Sequence, residues 1–168
     1  MNTPQKNGNR RILIIDDNRA IHSDFGKILL IPAATSPALD AMEDTLFGEA
    51  PAAPATHLFE LASAYQGREG FELVKRAETE GRPFAVAFVD VRMPPGWDGI
   101  ETIRQIWQIS QNLQTVICTA FSDHSWEQIV GILGKRDNLF LIKKPFDPTA
   151  VRQMAFHLSE QWNARDRP

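Results

Sequence analysis

Cysteine is nearly absent from the 168 residues: Cys118 stands alone, so no internal disulfide can form, and a reducing compartment is expected. Long apolar runs are missing as well. The first spans only Ile12 to Ile15 behind a polar start, which lacks the apolar stretch of a secretory signal, and no segment approaches the ~20 apolar residues of a membrane span. These two absences predict a cytoplasmic protein that does not use a membrane. Nor is positive charge in excess. A formal net charge of −3 and a pI near 5.8 give no broad field to hold phosphates, so direct nucleic-acid binding is disfavoured. What is present is globular: 43% hydrophobic and 23% charged residues with 10 glycines and 11 prolines exclude collagen-like, low-complexity and wholly disordered chains. The length is that of one domain, with room for an insertion. Such a domain buries roughly 70% of its unfolded surface and needs no metal for stability, so any metal would be functional.

Apolar periodicity divides the chain into five strand and helix pairs. Arg11 to Asp17 reads as a strand ending in two acids, and Asn18 to Leu30 as a helix with Ile21, Phe25, Ile28 and Leu29 on one face. His57 to Ala64 is the second strand, followed by a helix over Gly70 to Glu80 closed by Gly81. Phe84 to Asp90 is the most continuously apolar run, as a strand covered on both faces must be, and Trp97 to Ser110 is its helix. Thr115 to Ala120 leads to a helix around Trp126 to Leu133, and Leu139 to Lys144 to one from Pro148 to about Asn163. Strict alternation predicts an α/β fold, a doubly wound parallel sheet with helices on both faces. Between the first helix and the second strand, about 31 to 56, an Ala- and Pro-rich stretch looks inserted. Within it Ser36 and Pro37 fit a helix start, Leu39, Met42 and Leu46 an apolar stripe, and Gly48 a stop. A short amphipathic helix is expected there, either decorating the domain or serving as a partner-binding or dimerisation element.

Ligands of such sheets bind beyond the carboxyl ends of the strands. The residues there are Asp16 and Asp17, Asp90, Thr119 and Lys144. Converging carboxylates repel by about 4 kcal/mol per close pair at an effective dielectric near 20, so the site calls for a cation or protons. Oxygen ligands without His or Cys suit Mg²⁺ or Mn²⁺, whose remaining positions can accept phosphate oxygens. Lys144 adds a positive charge and Thr119 a hydroxyl, which together describe a phosphoryl-transfer site. Asp90, ending the central apolar strand, is the natural nucleophile, while the adjacent Asp16 and Asp17 suit a metal. A carboxylate that receives a phosphoryl group fits better than a metal-dependent phosphohydrolase, which normally needs a D-x-D pair and a further acid or base.

Taken in order, IIDDN, VDVRMPPGWDG, CTA and KKPF on alternating β and α elements resemble the receiver domain of two-component response regulators. The resemblance implies a flavodoxin-like receiver fold with strand order 2-1-3-4-5 over residues 11–163, with a short tail at 1–10 and, at 164–168, a tail or the start of a linker. It implies that Asp90 is the phospho-acceptor and Asp17 a direct Mg²⁺ ligand, with Asp16 acting mostly through water and the backbone carbonyl of Arg92 completing the set. Thr119 would move toward the phosphoryl group, Lys144 would be its counter-charge, and the Lys144–Pro145 bond would be cis. The implied partner is a sensor histidine kinase or a histidine phosphotransfer protein, with a homodimer as a further association. Alternatively, the fold would serve as a phosphorylation-independent scaffold. As a receiver it would turn over no separate substrate.

Several residues depart from the family pattern or carry an open reading. The family places an aromatic residue three before the lysine, where this chain has Leu141, with Phe140 one residue earlier. Lys143, three after Phe140, competes with Lys144 for the lysine role, but only Lys144 precedes the proline. Arg92 and Phe121 occupy positions that in the family influence phosphate lifetime. The stretch between Asp17 and Asp90 exceeds that of ordinary receivers by the insertion. Cys118 reads as a core residue. His22, His57, His124 and His157 lack zinc-like spacing and receive no role. Trp97 either borders the site or packs at a helix start, and Trp107, Trp126 and Trp162 read as packing residues. Val151, Met154, Ala155, Leu158 and Trp162 form a stripe expected to lie on the sheet.

Overall fold

A computed structural model describes residues 8–30, 59–120 and 125–165. The predicted amphipathic helix of the insertion, His57, Phe121 and His124 lie outside these residues. In chain order the elements are β1 (Arg11–Ile15), α1 (Arg19–Leu29), β2 (Glu60–Ala64), α2 (Gly67–Thr79), β3 (Val86–Asp90), α3 (Gly99–Ile109), β4 (Gln114–Thr119), α4 (Trp126–Leu133), β5 (Leu139–Lys143) and α5 (Pro148–Arg165). All strand pairs are parallel, and the order is β2-β1-β3-β4-β5. This is the expected doubly wound sheet. The interior strands β3 and β4 are buried at every position, whereas β2 and β5, at the edges, keep half-exposed residues.

Strand alternation sorts the side chains into two layers. Leu13, Ile15, Ala87, Val89 and Ile117 pack with Val74 and Ala77 of α2, Ile103, Ile106 and Trp107 of α3, and Ile129 and Leu133 of α4. Ile12, Ile14, Val86, Phe88, Val116 and Cys118 face the other way. They pack with Phe25, Ile28 and Leu29 of α1 and Val151, Ala155, Leu158 and Trp162 of α5. The α5 stripe therefore lies on the sheet, with Met154 at its margin. Cys118 is a core residue, and burial pushes its thiol pKa well above the ordinary value.

Local chemistry sets the element ends. Asn18 caps α1 by accepting from the Ala20 N–H, Asp98 caps α3 through the Glu101 N–H, and Ser125 with Gln128 forms a capping box on α4. Gly81 closes α2 at φ 71°, a conformation that favours glycine. Three expectations need correction. Helix α2 begins at Gly67 rather than Gly70, because both glycines are there for contact: a Cβ on Gly67 would strike Thr102, and one on Gly70 would strike Ile15. Strand β1 ends at Ile15, since Asp16 and Asp17 already turn toward the Asn18 cap. Trp126 is 41% exposed at the first turn of α4, where no layer covers it, so it is not a packing residue.

Candidate functional site

The carboxyl ends of β1, β3 and β5 bring four of the five strand-end side chains into direct reach. Asp16, Asp17 and Asp90 each offer a carboxylate oxygen, and these oxygens lie within 4.8 Å of one another. Asp16 and Asp90 are only 2% and 8% exposed, while Asp17 is open to solvent. The Lys144 ammonium donates to Asp16 Oδ2 at 3.1 Å and to Asp90 Oδ1 at 3.2 Å. Lys143 is the exposed last residue of β5, so of the two lysines it is Lys144 that reaches the carboxylates.

Parity explains the convergence. Asp90 is in register with Cys118, and Phe140 and Ile142 lie in the α1/α5 layer with Cys118, so continuing the alternation brings Lys144 to the same side. The Lys144 N–H donates to the Thr119 carbonyl, which extends the β4–β5 ladder by one step before the cis Lys144–Pro145 bond. Pro94–Pro95 in the loop after β3 is also cis. Thr119 is buried and has the opposite parity, on the α2–α4 side. Its hydroxyl donates to the Ala120 carbonyl at 3.0 Å. Arg92 stands exposed on the loop after β3.

The electrostatics are those of a crowded anionic pocket. Burial, then the neighbouring Asp16, raises the Asp90 pKa above its ordinary 3.8; Lys144 opposes this and Asp17 adds to it. For Lys144, burial acts to lower the pKa, but Asp16 and Asp90 outweigh it and hold the ammonium above 10.5. At a separation of 4.8 Å each carboxylate pair still repels by roughly 3 to 4 kcal/mol at an effective dielectric near 20. Three carboxylates against one ammonium leave the cluster net negative. Its donors are hard oxygens, two of them buried and prepositioned, and they fit Mg²⁺ or Mn²⁺.

Asp16 is held on every side. Its N–H donates to the Ala64 carbonyl, its Oδ1 accepts from the Asn18 N–H at 2.8 Å, and its carbonyl lies 2.7 Å from His22 Nε2. The sequence reading gave His22 no role. The signal available to it was position: one turn into α1, a side chain can fold back over the strand end that precedes the helix. Trp97, by contrast, packs against Phe71 of α2 beneath Arg68, not against the carboxylates. Gly99 closes the floor of the site, since a Cβ there would collide with the backbone carbonyl oxygen of Asp90.

The profile of the family described as "Response regulator receiver domain" matches residues 54–156, a span that includes Asp90, Arg92, Thr119 and Lys144. Among solved structures, the chain resembles a response regulator receiver protein from Sinorhizobium medicae WSM419. That match has TM-score 0.59 and 20% identity, covering 93% of this chain and 96% of that one. A structure described as an adenylate cyclase from Rhodopirellula baltica matches with TM-score 0.66 and 22% identity, over 94% and 92% of the two chains. The REC domain of AraT, a response regulator from Geobacillus stearothermophilus, matches with TM-score 0.62 and 21% identity, over 95% and 99%. No curated protein matches by sequence. Asp16 and Asp17 fall before the matched span, so it is the sheet that joins them to the rest.

Proposed function

The chain belongs to the response regulator receiver domain family, and from that premise we propose that it accepts a phosphoryl group on Asp90 from a phosphohistidine of a sensor histidine kinase or histidine phosphotransfer protein. The receiver unit spans 11–163, with the insertion at about 31–56, and works in the cytoplasm without turning over a separate substrate. Asp16, Asp17, Asp90 and the Arg92 carbonyl hold Mg²⁺, with Mn²⁺ as a substitute. When bound, the ion neutralises charge on the phosphoryl oxygens.

A carboxylate oxygen of Asp90 attacks phosphorus in line, the P–N bond to the donor breaks, and the imidazole leaves and is reprotonated. The attacking oxygen must be unprotonated, and Lys144, paired with Asp90 at 3.2 Å, favours that form against the opposing effect of burial. Once Asp90 carries the phosphoryl group as an acyl phosphate, Lys144 turns its charge to the phosphoryl oxygens, and the Thr119 hydroxyl leaves the Ala120 carbonyl to join them. That movement biases the packing of β4, β5 and α4 between two arrangements. The observation that carries the reading is the meeting of Asp16, Asp17, Asp90 and Lys144 at one sheet edge. Incubation with acetyl phosphate and Mg²⁺ tests it by intact mass. One phosphoryl group, labile to hydroxylamine, is expected on the wild type and none on Asp90→Asn. No gain, or equal gain in both, overturns it, and partner binding indifferent to Asp90→Asn would favour a scaffold instead.

A further inference from the structure

The exposed carboxylate of Asp17 has no hydrogen bond or ion pair among the described residues, yet the metal reading asks it to point at the other two. Its direction must come from the backbone on either side. The peptide after Asp17 is pinned by the Asn18 N–H donating to Asp16 Oδ1. The peptide before it is a rigid plane joining the Asp16 carbonyl to the Asp17 N–H. Among the described residues, its one hydrogen bond is the 2.7 Å contact between the Asp16 carbonyl and His22 Nε2.

A carbonyl only accepts, so Nε2 carries the proton and donates. The ring is itself fixed at its other end: Nδ1 lies 2.9 Å from the Ser63 hydroxyl on β2, and the ring rests on Tyr65 at 4.5 Å between centroids. Tyr65 in turn lies beneath the Arg19 guanidinium. A half-buried side chain of α1 thus ties the acidic turn to the β2 edge, through two hydrogen bonds and a tilted ring contact.

We infer that His22, held by Ser63, is a positioning residue for the divalent-ion site: it sets the plane of the Asp16–Asp17 peptide and thereby the aim of the Asp17 carboxylate. The inference rests on the phospho-acceptor reading and concerns a residue outside its ligand set. Outer partners that orient metal ligands typically contribute 10- to 100-fold in affinity. Because this one acts through backbone, the lower end is expected.

The test is Mn²⁺ binding to the unphosphorylated full chain, followed by the loss of free-ion electron paramagnetic resonance signal. His22→Ala should raise Kd about tenfold. His22→Gln, whose amide nitrogen reaches to a similar place and can donate to the same carbonyl, should return Kd to within about threefold of wild type. Ser63→Ala, which leaves the ring in place but frees Nδ1, should raise Kd about twofold. A residue that merely stabilises α1 would lower Tm in both His22 variants and leave Kd untouched, and that result overturns the inference. So does a folded His22→Ala with wild-type Kd. Wild-type protein that binds no Mn²⁺ at millimolar concentration overturns the parent reading instead.

Discussion

At the scale of single residues, the site is a balance between one ammonium and three carboxylates. Because Asp90 is held above its ordinary pKa chiefly by burial, its ionised form is the costly one in the folded state. The stability linked to Asp90 is present below pH 3.8 and lost as pH rises through the higher folded value, so at neutral pH its ionisation is a burden. Asp90→Asn should therefore raise Tm by about 2–4 °C in EDTA, corresponding to ~1 kcal/mol, while abolishing phosphate uptake. Thermal scans at pH 7 decide the first part and intact mass the second. Lys144 runs the other way. Its folded pKa lies above 10.5, so its contribution is complete below pH 10.5 and lost as pH rises through the folded value. Lys144→Met leaves Asp16 and Asp90 facing each other and should cost about 2 kcal/mol at pH 7, below the range for fully buried pairs because the lysine side chain is 23% exposed. Denaturant unfolding should show that loss, and its partial recovery in millimolar Mg²⁺.

At the scale of elements, the site depends on how closely α3 approaches β3. Gly99 sits where any Cβ would meet the backbone of Asp90, and backbone, unlike a long side chain, cannot swing aside. Gly99→Ala should cost roughly 1–3 kcal/mol by overpacking and slow phosphorylation by acetyl phosphate several-fold. Urea unfolding and single-turnover mass kinetics check the two. On β5 the alternation places Phe140 in the α1/α5 layer and Leu141 in the layer of α3 and α4, the side of Thr119. An aromatic reporter of the threonine's position would have to come from the Leu141 side, and Phe140 points away from it. On the Thr119 side of β5 this chain therefore carries an aliphatic side chain, Leu141.

For the whole molecule, the proposed phosphorylation at one rim of the sheet would reach the other elements through β4 and β5. Beryllofluoride, which mimics the phosphoryl group, should slow amide exchange in the segments around β4, α4 and β5. It should leave α2 and the amino-terminal half of β3 unchanged within error. In Thr119→Ala the α4 effect should vanish while exchange near Asp90 still slows. Uniform slowing everywhere would mean simple stabilisation by ligand rather than a switch. Among the described residues no helix is long and apolar enough to cross a membrane.

The sequence determined the element order and the layers, because helical and strand periods are local and the central strands, covered on both faces, must read as unbroken apolar runs. It also located the acids and the lysine, since in a parallel α/β sheet every strand end falls on one rim. It misjudged the start of α2, where glycines serve close packing instead of breaking the helix, and it passed over His22, whose partners lie on β1 and β2. Which face holds Phe140, and which contacts hold the backbone on either side of Asp17, were decided only by the tertiary structure. Each turns on contacts between elements far apart in the chain, where pleat parity and the distance between side-chain ends, not residue type, set the outcome.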